Sequence, residues 1–154
     1  MPLIDYRFHV VWSIDAPVPR VADALTDLAG YPSWWPDVRA VCRVDDDTAE
    51  VRCRSALPYE LRLWLRRVEQ RVERDHRRGR LRVALTGDLE GFVGCVLTGR
   101  PGGTRLDIVQ QVVVRKPVLR WLSPLARPLF RANHAVMMRR GRHGLSAHLT
   151  ARPG

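Results

Sequence analysis

The chain has 154 residues, 45% hydrophobic and 27% charged, a balance that excludes disorder and suits one globular domain able to enclose a cavity. Its net charge is +10, but Lys116 is the only lysine, and the arginines crowding positions 66–82 are interrupted by Glu69, Glu73 and Asp75, a pattern that argues against phosphate tracking and nucleic acid. No apolar run approaches the ~20 residues of a bilayer span, and the N-terminus lacks a leader pattern. Cys42, Cys53 and Cys95 are odd in number and widely spaced, which fits buried thiols in a cytoplasmic protein better than disulfides or a metal knuckle.

The even positions Tyr6, Phe8, Val10, Trp12 and Ile14 are apolar and alternate with Arg7, His9 and Ser13, so the chain opens with a half-buried strand. Asp15-Ala16-Pro17 breaks it. Val18 to Leu28 then sets Val21, Leu25 and Leu28 on one helical face, with Gly30 as the expected C-cap. In Tyr31-Pro32-Ser33-Trp34-Trp35-Pro36 each proline biases its predecessor away from the helix, leaving room only for a turn or a very short helix. One of the paired tryptophans covers the edge of a core or pocket, or both plug the core.

Val38–Val44 and Ala49–Ser55 read as a hairpin turning at Asp45-Asp46-Asp47. Three further strands follow in meander order, around 81–85, 89–98 and 104–114, the last two turning at Pro101-Gly102-Gly103. Residues 59–74 fit two patterns. Leu61, Trp64, Leu65, Val68 and Val72 form a helical stripe, while Tyr59, Leu61, Leu63 and Leu65 form a strand face. Taken alone the segment favours a helix, and a strand needs a bulge near Arg66 or Arg67 to return Val68 to the inner face. From Lys116-Pro117 to about Leu149 the pattern is helical, with Phe130, Asn133, Met137, Gly141 and Leu145 on one stripe and His134 about 100° round, nearer the flank.

Several motifs sharpen this order of elements: Trp12-Ser13-Ile14-Asp15-Ala16-Pro17, Tyr31-Pro32-Ser33-Trp34-Trp35-Pro36-Asp37-Val38, Gly87-Asp88-Leu89-Glu90-Gly91, Gly103-Thr104-Arg105, and Pro128 to Met137 through Gly144-Leu145. With them the chain resembles the SRPBCC or START-like superfamily, and within it the bacterial polyketide cyclase/dehydrase-like family. The resemblance implies an α+β helix-grip fold: a curled antiparallel β-sheet wrapped around a long C-terminal α-helix, with two short helices after the first strand. It makes residues 1–150 one domain with a flexible tail at 151–154, and it turns 59–74 into a single bulged strand. It also implies a cavity between sheet and helix, opening near the aromatic-proline turn. Family members similar to this chain tend to carry tryptophan where Cys95 and Gln110 stand, so a roomier cavity with one amide inside is expected.

The expected ligand walls are Trp34, Trp35, Tyr59, Leu63, Val83, Cys95, Ile108, Gln110, Asn133 and Met137. Gln110 is an amide in an apolar row and must bind ligand or satisfy a neighbour. No catalytic residue is assigned; His134 is the side chain considered for proton transfer, because an imidazole suits enolisation or dehydration. No phosphate loop, nucleophile elbow or metal-ligand cluster is present in the sequence, so no cofactor and no metal is expected. The expected partner is an apolar lipid, isoprenoid or aromatic polyketide-like molecule, carried, sensed or cyclised. Transient contact of the arginine-rich sheet exterior with anionic membrane is a further expectation.

Overall fold

The computed structural model describes residues 5–54, 60–73, 75, 77–114 and 126–150. Seven strands form one antiparallel sheet: β1 (Asp5–Ile14), β2 (Val38–Arg43), β3 (Thr48–Cys53), β4 (Leu61–Val72), β5 (Arg78–Gly87), β6 (Leu89–Arg100) and β7 (Gly103–Val114). Their order is β1-β7-β6-β5-β4-β3-β2, so every pairing joins sequence neighbours except β1 with β7. α1 (Val18–Thr26) and a 310 helix (Leu28–Ser33) follow β1, and α2 (Ala126–Thr150) ends the described chain. This is the expected helix-grip architecture. The expected C-cap is not: Asp27 ends α1, and Gly30 lies inside the 310 helix.

The alternation read in β1, β6 and β7 holds, with Leu89, Leu97, Leu106, Ile108, Val112 and Val114 buried on the inner face. The helical preference at 59–74 is overturned by β4, whose pairing with both β3 and β5 satisfies backbone groups that a helix would bond internally. The bulge lies between Arg67 and Glu69, but it leaves Val68 exposed rather than returning it to the core. Gly87 links β5 to β6 with φ of +103°, and an added Cβ there would meet the Arg62 carbonyl oxygen at 2.6 Å.

On α2 the stripe turned to the sheet is Phe130, His134, Met138, Gly141, Leu145 and Leu149. His134 and Met138 thus take the places expected of Asn133 and Met137, which are half-buried. Phe130 anchors the stripe against Tyr6 on β1, and from there i,i+4 steps carry it to His134 and Met138. Of the thiols expected to be buried, Cys53 is, Cys95 is half-buried and Cys42 is exposed, because β2 is an edge strand whose other face is open. Tyr59, His76, Lys116-Pro117 and the tail lie outside the described residues.

Candidate functional site

The core divides into two clusters. One gathers Trp12, Ile14, Leu97 and Leu106 with α1, Trp34, Met138, Leu145 and Leu149. The other gathers Tyr6, Val51, Leu63, Leu85, Leu89, Val112 and Phe130. Between them a belt of inner-face residues, Leu81, Val83, Val93 and Cys95, is only half-buried. All four pack against one or both clusters without being closed over by them.

Strand register orders this belt. Phe8 pairs with Gln110, Gln110 with Val93, Val93 with Val83, and Val83 with Arg67. Three interstrand steps of about 4.8 Å therefore separate Gln110 from Arg67 by roughly 14 Å. At one end His134 Nε2 donates to Gln110 Oε1 at 2.9 Å, and the imidazole stacks on Phe8 at 3.6 Å between centroids. One hydrogen bond thus joins the amide oxygen to the imidazole N–H. Burial pulls the His134 pKa from 6.5 down to about 4, so the ring is neutral at pH 7. Burial also pushes the Cys95 thiol up to about 12, which makes it an apolar wall rather than a nucleophile.

At the other end Arg67 donates to the Asp46 carbonyl oxygen at 2.8 Å and to Gln70 Oε1, and faces Asp47 at 3.5 Å. Beside it a cleft of about 180 Å³ opens between the Leu25–Ala29 segment and the β2–β3 hairpin. Its apolar lining includes Leu25, Leu28, Val41, Ala49, Leu81 and Val83, and its polar part includes Asp27, Arg43, Arg67, Glu69, Gln70 and the three aspartates of the hairpin turn. Sequence reasoning missed Arg67, although continuing the alternation Leu61, Leu63, Leu65 places it on the inner face.

The aromatic-proline turn does not line this cleft. Trp34 is buried, Trp35 sits edge-on to Trp12 at 5.7 Å, and Trp35 Nε1 donates to the Met137 carbonyl oxygen at 2.9 Å. Gly141 and Gly144 permit this approach: a Cβ at 141 would lie 2.6 Å from the Trp35 ring, and one at 144 would collide with the Trp34 carbonyl. Fully buried Asp37 follows the turn, its Oδ1 accepting from Arg140 at 2.9 Å. The tryptophans bind the helix to the turn. Of the other expected wall residues, Leu63 and Ile108 are buried in the two clusters, Asn133 is half-buried on α2, and Tyr59 is outside the described residues. Among the described residues no cluster of His, Cys, Asp and Glu could hold a metal ion, and no helix is long and apolar enough to cross a membrane.

A curled sheet gripping a terminal helix, with a partly open apolar belt between two cores, defines a helix-grip protein of the START-like class. The chain belongs to the family described as polyketide cyclase / dehydrase and lipid transport, whose model matches residues 6–150. Among solved structures it is similar to the Zhui aromatase/cyclase from Streptomyces sp. R1128, at 16% identity and a TM-score of 0.71, covering 96% of this chain and 95% of that one. It is also similar to a START superfamily protein from Mycobacterium smegmatis, at 14% identity and a TM-score of 0.68, covering 94% and 97%. The di-domain aromatase/cyclase BexL from the BE-7585A biosynthetic pathway matches at 19% identity and a TM-score of 0.65, covering 99% of this chain and 52% of that one. Among curated proteins no sequence matches the chain.

Proposed function

We propose that the chain binds an apolar or aromatic small molecule against the inner face of the sheet, along the belt Leu81, Val83, Val93 and Cys95. The observation that carries this reading is the cleft lined by Leu81 and Val83, continued along the sheet by the partly buried Val93 and Cys95 between the two core clusters. Apolar walls supply the affinity, and the Gln110–His134 pair and Arg67 supply the few polar contacts that orient a ligand. At about 180 Å³ the cleft beside the belt is below the usual range of about 300–1,000 Å³, so it suits a small ligand as it stands. A larger one requires the β2–β3 hairpin to shift.

Titration with the neutral fluorophore N-phenylnaphthylamine tests the reading, with Cys95→Trp as the filled-belt variant. Enhanced fluorescence in the parent chain and at least about tenfold weaker binding in a folded Cys95→Trp are expected. Equal binding by the two, or none by the parent, overturns it. Native mass spectrometry followed by organic extraction then identifies any cellular ligand retained.

A second reading, ring closure or dehydration of a poly-β-keto chain in the same space, is favoured by the family match and by Arg67 lining the cleft, where an enolate oxygen would have to displace Gln70 or the Asp46 carbonyl from the guanidinium. The lowered pKa of His134 counts against it, since an imidazole held near 4 by burial is a weak base at pH 7. Turnover of a poly-β-keto thioester that survives His134→Phe but is lost in Arg67→Met would support the Arg67 role. Absence of turnover by the parent chain removes the second reading and leaves the first intact.

A further inference from the structure

The outer face of the sheet carries a patch that ligand binding inside does not use. Val11 on β1, Val109 on β7, and Phe92 and Val96 on β6 are between 40% and 52% exposed. Strand pairing brings them together: Val96 and Val11 both pair with Asp107, while Gln111, two residues from Val109, pairs with Phe92. Gly94, paired with Val109, meets no atom closer than 4.0 Å at the position of an added Cβ, and it floors a furrow of about 290 Å³.

Arginines border the furrow on the β4–β5 side. Arg82 lies over the Phe92 ring at 4.4 Å, and Arg80 pairs with Val96. Arg71 pairs directly with Arg80, an opposition of like charges that is unfavourable on one face of an antiparallel pair. Among the described residues Arg66, Arg71 and Arg80 make no ion pair. Of the two carboxylates that line the furrow, Asp107 is held by His9 at 3.2 Å and Arg105 at 3.1 Å, while Glu69, opposite Arg82, makes no ion pair among the described residues and offsets part of the charge at Arg82, leaving Arg71 and Arg80 opposed.

We infer that this face docks an acidic partner protein that presents apolar residues among its carboxylates. Charge complementarity selects that occupant: apolar residues fill the furrow, and carboxylates relieve the Arg71–Arg80 repulsion. A second copy is disfavoured because each chain carries +10. A bilayer meets only the crest of a convex sheet, and a membrane there would lie on the side away from the inner belt. The patch spans about 19 Å across four interstrand steps, the scale of a small, transient contact rather than a permanent one.

The probe is a synthetic helical peptide with leucines along one face and glutamates on the others, added to the whole chain while amide shifts are followed by NMR. Shifts centred on Val11, Phe92, Val96 and Val109 are expected, with binding about tenfold weaker in Arg80→Glu/Arg82→Glu and at high salt. Should that charge reversal prevent folding, Phe92→Ser with Val109→Ser reads the same face. Shifts spread over the surface or absent, or unchanged affinity in the folded variant, overturn the inference. So does failure of the peptide where vesicles of equal parts phosphatidylcholine and phosphatidylserine bind through this face, or where the chain dimerises through it in analytical ultracentrifugation.

Discussion

His134 shows how one side chain joins helix, sheet and pH. It is buried, stacked on Phe8 and bonded to Gln110, and burial holds its pKa near 4 against 6.5 when free. A histidine kept neutral by the fold takes up its proton more readily in the unfolded chain. Its contribution is therefore complete above pH 6.5 and is lost as the pH falls towards 4. Urea unfolding of the parent chain is expected to show stability falling by up to about 1.4 kcal/mol per pH unit in that window. His134→Phe, which keeps the stack with Phe8, should flatten the slope while lowering stability at pH 7 by about 1–3 kcal/mol through the unpaired Gln110 amide. An unchanged slope would show that His134 is not the titrating group. Sequence reasoning placed Gln110 correctly in its apolar row, but it chose Asn133 over His134, because helical periodicity alone leaves a helix's rotation about its axis open by a residue.

At the scale of elements, strands with clean alternation were legible: β1, the β2–β3 hairpin, β6 and β7 all stand where Tyr6-Phe8-Val10-Trp12 and its counterparts predict. β4 was not, because the Leu61, Trp64, Leu65, Val68 and Val72 stripe satisfies a helix as well as a strand, and pairing with two neighbours decided the matter. The junction between α2 and the aromatic-proline turn was illegible for a different reason. Its Asp37–Arg140 pair spans 103 residues, and Gly141 and Gly144 matter only through what they approach. Glycine inside a helix is replaced by alanine with a gain of about 1 kcal/mol where nothing intervenes. Here Gly144→Ala drives a methyl into the Trp34 carbonyl, and a loss of about 1–3 kcal/mol is expected instead. A melting temperature raised by this substitution would mean that helix and turn do not touch at that point.

For the molecule as a whole, +10 on 154 residues means that folding brings like charges together. Raising sodium chloride is expected to raise the melting temperature, since screening shortens the reach of the repulsion from about 10 Å at 0.1 M to about 3 Å at 1 M. A fall with salt would show that the exposed ion pairs, such as Arg43–Asp46 and Arg67–Asp47, outweigh the net charge. The topology has a consequence in time as well. β2 to β7 pair as each is made, but Asp5 finds Val113 and Ile14 finds Thr104, about a hundred residues later. At some 5–20 residues per second a ribosome takes on the order of 5–20 s to supply that partner. Throughout that interval the nascent chain carries Tyr6, Phe8, Val10, Trp12 and Ile14 with no strand to lie against, and that delay is when a holding chaperone has most to shield.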